Sequence, residues 1–64
     1  MHDFIKLTSY KSDKEVYYIR ISTIAAFYRS ADDAFTEVAL INGGHCQVTE
    51  SVDYIKSILG IEEN

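Results

Sequence analysis

Apolar and polar positions alternate in short runs along most of this chain, and only the last stretch changes to a helical period. Over 4–8, Ile5 and Leu7 fall on one side and Lys6 and Thr8 on the other, the period of two expected of a half-buried strand. Residues 9–15 are polar, with Lys11-Ser12-Asp13-Lys14 at the tip. They predict a hairpin connection, although no Asn-Gly or Asp-Gly pair marks it. Val16-Tyr17-Tyr18-Ile19-Arg20-Ile21 is β-branched and aromatic and predicts a second strand. A bend at Ser22-Thr23 leads to a third strand over 24–29, whose two alanines leave a helical turn over 22–26 as the alternative. Ser30-Ala31-Asp32-Asp33-Ala34 is rich in short polar side chains that hydrogen-bond their own backbone, which predicts a loop. A fourth strand follows over 35–41. Asn42-Gly43 supplies the positive φ angles of a tight hairpin turn, and Gly44 extends it towards a bulge. A fifth strand over 45–49 turns Cys46 and Val48 inward.

From Ser51 the spacing becomes helical. Val52, Ile55, Ile58 and Leu59 form one apolar stripe over 51–59. Ser51 suits the N-cap, and Asp53 stands in the first turn, where the helix dipole favours negative charge. Gly60 suits the left-handed residue after the helix, and Ile61 the apolar contact that accompanies it. Glu62-Glu63-Asn64 reads as a solvated tail. The fold class is therefore α+β: a small antiparallel β-meander of about five strands, forming a curled sheet or half-barrel, with one C-terminal α-helix.

The 64 residues make one domain, 1–64. A chain this short buries only about 60% of the surface exposed by its unfolded form. Its hydrophobic fraction of 47% fits a globular domain rather than a disordered one. With a single cysteine, Cys46, it has no internal disulfide to add stability, which fits a reducing compartment. The first residues lack the basic and long apolar regions of a signal peptide. No apolar run approaches the length of a membrane span. A cytoplasmic protein without membrane insertion is the expectation.

The net charge of −4 argues against a nucleic-acid partner, because phosphate neutralisation needs a basic face. The six cations are scattered at Lys6, Lys11, Lys14, Arg20, Arg29 and Lys56. Arg20 and Arg29, near strand ends, are expected to pair with carboxylates such as Glu37. No metal or other cofactor is expected. His45 and Cys46 are adjacent on a strand and point to opposite faces, His2 is remote, and no paired ligand spacing occurs. Asp32-Asp33 lacks the glycine and the ligand number of a calcium loop. Asn42-Gly43-Gly44 lies between strands, not before a helix, so it is no phosphate cradle. Nothing frames a nucleophile, and an enzyme is not expected.

The aromatic residues carry the functional expectation. Tyr17 and Tyr18 must face opposite sides of their strand, so one enters the core and the other lies outside, with Tyr28 or Tyr10 as company. Exposed tyrosine suits an interface because it joins a large apolar ring to a polar tip. A marginal core, sheet edges without proline and these rings predict a non-enzymatic protein–protein interaction module. It would self-associate as a dimer or larger homo-oligomer, or bind an unidentified protein. One alternative is an acidic inhibitor or decoy of a nucleic-acid-processing enzyme from a phage or mobile element, with Asp32, Asp33, Glu37 and the terminal acids mimicking phosphate. Another is a small DNA-binding regulator.

The motif layout resembles that of the FlbD-like (SwrD) flagellar proteins over residues 4 to 59. The matching stretches are Ile5-Lys6-Leu7-Thr8, Ile21-Ser22-Thr23-Ile24, Val38-Ala39-Leu40-Ile41-Asn42-Gly43 and Val48-Thr49-Glu50-Ser51. The first hairpin departs from that pattern in lacking Asn-Gly, and Ile19-Arg20-Ile21-Ser22 lacks an Asn-Pro-like start. The resemblance implies an accessory role in flagellar motility through protein contacts, without catalysis. The LytTR type of DNA-binding domain shares the terminal strand-turn-strand-helix rhythm, but this chain is shorter and lacks that type's basic character.

Overall fold

The computed structural model describes residues 3–12 and 14–61. The expectations for His2, for Asp13 at the first loop tip and for the 62–64 tail lie outside the described residues. The elements follow the expected order: β1 (Phe4–Thr8), β2 (Val16–Arg20), a 3-10 turn (Ile21–Thr23), β3 (Ile24–Arg29), β4 (Thr36–Leu40), β5 (His45–Val48) and α1 (Val52–Leu59). The fold is a small α+β arrangement of two antiparallel sheets, one of β1-β2 and one of β3-β4-β5.

The two sheets meet along one line. Ser9 bridges to Val48, the Tyr10 N–H donates to the Gln47 carbonyl at 2.9 Å, and the Thr49 N–H donates to the Thr8 carbonyl at 3.0 Å. The sheets are thus linked where the end of β1 meets β5 and where the chain turns between β2 and β3. At that second point the bend is a 3-10 turn that begins one residue early, at Ile21, so β2 ends at Arg20. Thr23 fixes the turn by donating its hydroxyl to the Arg20 carbonyl at 2.7 Å.

Alternation decides what is buried. Ile5, Leu7 and Ile19 from the first sheet meet Val38 and Val48 from the second, and Ile55 of α1 closes the core. Tyr17, Phe27, Leu40 and Cys46 pack around its border. Two buried hydroxyls are satisfied within this packing. Ser9 Oγ accepts from the Lys11 and Ser12 N–H groups, and Thr36 Oγ1 accepts from Arg29 Nη1 at 2.9 Å.

The β4–β5 hairpin corrects the expectation for Asn42-Gly43. Only Gly43 has positive φ, at 93°; Asn42 does not. The Gly43 N–H donates to the Leu40 carbonyl, and the Leu40 N–H to the Gly44 carbonyl. This is the longer hairpin loop, a turn followed by one left-handed residue, rather than the two-residue turn. The Asn42 side chain instead accepts from the Gly44 N–H at 2.8 Å.

Helix α1 begins and ends on the residues its sequence advertises. Ser51 Oγ accepts from the Tyr54 N–H at 3.0 Å, and Asp53 lies in the first turn. At the other end Gly60 has φ 74°, its N–H reaches the Ser57 carbonyl, and the Ile61 N–H reaches the Lys56 carbonyl at 3.0 Å. Those two bonds satisfy carbonyls that the helix leaves open. A Cβ at residue 60 would meet nothing within 4 Å, so the backbone angle alone opposes substitution. Gly60→Ala is expected to cost about 1–2 kcal/mol, the penalty of a left-handed non-glycine residue, read as a lower urea midpoint.

Candidate protein-binding face

Hydrogen bonding and burial in β1–β2 share one parity. The Ser9 N–H donates to the Glu15 carbonyl at 3.0 Å, and the Ile21 N–H donates to the Asp3 carbonyl at 2.9 Å. Odd-numbered residues therefore bond across the pair, and their side chains turn inward at Ile5, Leu7 and Ile19. Even-numbered side chains turn out. Register places Phe4 opposite Arg20, Lys6 opposite Tyr18 and Thr8 opposite Val16. Tyr18 is 68% exposed, Phe4 49% and Val16 39%. The Arg20 guanidinium lies 4.8 Å from the Phe4 ring centroid, in range for a cation–π contact. Among the described residues this stacking, not a carboxylate, is its partner, which corrects the expected ion pair. The face carries two aromatic rings, a valine and two cations, and none of its six strand positions is acidic.

The four tyrosines singled out by the sequence do not form one patch. Tyr18 belongs to this face. Tyr17 is half-buried and packs against the core, as the opposite parity requires. Tyr28 is exposed on β3, in the other sheet. Tyr10 sits beside Phe35, with ring centroids 5.0 Å apart. Of this face the sequence singles out Tyr18 alone; Phe4, Lys6, Val16 and Arg20 join it only in the structure. The signal available was parity, since Phe4, Lys6, Tyr18 and Arg20 are all even-numbered in a hairpin whose odd positions are apolar.

Asp32 and Asp33 are engaged within their own loop. Asp33 has φ 60°, and its Oδ1 accepts from Arg29 Nε at 2.9 Å. Arg29 thus pairs with Asp33, not Glu37, because the loop folds back over the strand end. Ser30 donates its hydroxyl to Asp32 Oδ1 at 2.7 Å, and the Ala34 N–H donates to the same oxygen at 3.2 Å. The Ser30 hydroxyl, followed by the Ala34 N–H, holds the Asp32 carboxyl below its ordinary range. A lowered folded value means that the contribution to stability is fully present above the unfolded value of about 3.9. It is lost as pH falls through the lower folded value. Acid titration followed by circular dichroism is therefore expected to lose less stability below pH ~3.9 in Asp32→Asn than in the parent.

A shallow cleft of about 210 Å³ is lined by Ser9, Lys11, Tyr17, Glu37, His45 and Gln47. His45 Nδ1 stands 3.8 Å from Glu37 Oε2, beyond hydrogen-bonding distance. Ser9 is buried, with its oxygen already accepting two backbone bonds. His45 is exposed while Cys46 turns to the core. Burial, followed by the Glu37 carboxylate, pushes the Cys46 thiol up, which favours the unreactive neutral form. Among the described residues, no three His, Cys, Asp or Glu side chains gather as a metal site. No described helix is long and apolar enough to cross a membrane. Comparison with protein-family models, curated proteins and solved structures finds no match to this chain.

Proposed function

We propose that this protein is a non-catalytic protein–protein interaction module that self-associates and works through the outer face of β1–β2. The observation that carries the reading is the exposure of Phe4, Val16 and Tyr18 together on one sheet face, between Lys6 and Arg20. A small core gains little by leaving such rings in water, whereas an interface gains from aromatic and arginine side chains. The FlbD-like motif layout gives this module a context, as an accessory protein of flagellar motility that acts by contact. A phosphate-mimicking role is less well supported, since Asp33 is paired with Arg29 and Asp32 is engaged with Ser30.

The test is light scattering after size-exclusion over a wide concentration range, with Tyr18→Glu beside the parent chain. The parent is expected to show a mass above 7.3 kDa that rises with concentration. Tyr18→Glu is expected to remain folded and monomeric, because its side chain contributes nothing to the core. A parent that stays at the monomer mass into the millimolar range would remove self-association. A variant that associates as well as the parent would remove this face.

A further inference from the structure

We propose that two copies of this chain join edge to edge through β2, in an antiparallel pairing centred on Tyr18. The proposal rests on the self-association reading above and adds a second contact to it, the edge of β2, which shares Tyr18 with the outer face.

The first observation is an unused strand edge. Odd residues of β2 bond to β1, so the N–H and C=O groups of Val16, Tyr18 and Arg20 point the other way. The Arg20 carbonyl receives the Thr23 hydroxyl. The groups of Val16 and Tyr18 have no described partner. The fold pairs β2 with β1 alone, while α1 packs against β3. Three of the usual blocks against pairing are absent from β2: it has no proline, no bulge and no inward charge.

The second observation is register. Hydrogen-bonded pairs at this edge must be made by even residues on both strands, since only those present their groups outward. Centring on Tyr18 uses the whole of Val16–Arg20, and any shift by two residues shortens the ladder. In that register Tyr18 faces the second copy's Tyr18, and Val16 faces the second copy's Arg20. On the inner side Tyr17 faces the second copy's Ile19. The Tyr18–Tyr18 and Tyr17–Ile19 rows join apolar or aromatic groups, Val16 meets the aliphatic stem of Arg20, and no like charges lie directly opposite one another. The strand is thus complementary to itself, which is why a second copy, rather than an unrelated strand, is the occupant. The pairing closes on a two-fold axis and does not propagate. It also turns a two-stranded sheet, marginal by itself, into a four-stranded one.

The test compares Tyr18→Pro with the parent by sedimentation and by amide exchange. Proline is tolerated where the missing N–H faces away from the sheet, so the β1–β2 pairing is expected to persist. The parent is expected to sediment at twice 7.3 kDa and the variant at 7.3 kDa, both with native circular dichroism. In the parent the Tyr18 amide should gain exchange protection as concentration rises, while the Tyr17 amide, bonded towards β1, stays protected throughout. A dimer whose Tyr18 amide exchanges freely would overturn the β2 seam and leave self-association standing. Monomeric parent protein at every concentration would overturn both. If Tyr18→Pro unfolds, the exchange pattern of the parent decides alone.

Discussion

Leu7→Ala is expected to abolish most of the stability of this domain. Leu7 is fully buried, one residue before the end of β1, in the core cluster that joins side chains from both sheets. Truncating a buried leucine removes transfer energy and leaves a cavity, at a cost of about 2–5 kcal/mol. Total stability for a chain of this length is about 3–10 kcal/mol. One residue therefore takes a large share, and urea unfolding in dilute solution should show the midpoint collapse towards zero denaturant. Ser57→Ala, at an exposed position of α1, should stay within about 0.5 kcal/mol of the parent. A small shift for Leu7→Ala would mean that the two sheets do not share this core.

Glu50→Ala is expected to have the second largest effect, through a polar tie rather than packing. The Thr8 N–H donates to both Glu50 oxygens, at 2.9 and 3.1 Å, and the Thr8 hydroxyl donates to Oε2 at 3.0 Å. Thr8 is the last residue of β1, where pairing with β5 runs out as the chain turns towards α1. The carboxylate continues the ladder with a side chain where backbone is no longer available. Hydrogen bonds to a charged acceptor contribute about 1.5–3 kcal/mol, and their loss leaves a half-buried N–H without a partner. The expected signature is a fall of that size in unfolding free energy, with faster amide exchange at Thr8 and Thr49. Glu50→Gln, which keeps one acceptor oxygen, should recover part of it. Equal exchange at Thr8 in parent and variant would show that the tie is not formed in solution.

The sequence is most legible where the signal is local. Strand parity, the Ser51 cap, the Gly60 ending and the separation of Tyr17 from Tyr18 all follow from residues within a few positions of one another. Such features need only backbone geometry and the period of each element. The candidate face is half legible on the same grounds. Tyr18 stands out in an apolar strand, whereas Phe4 and Arg20 become part of the face only once β1 and β2 are in register.

By itself, then, the chain determines five strands and a helix, their order, and which side of each strand is apolar, because these depend on neighbours in sequence. The tertiary structure alone decides what lies far apart along the chain. It divides the strands into two sheets, joins Ser9 to Val48, and brings Glu50 to Thr8 across the molecule. It also turns Asp33 onto Arg29 and leaves β2 paired with β1 alone. Each of these depends on how the sheets close on a shared core, and that closure is fixed by contacts that no local pattern encodes.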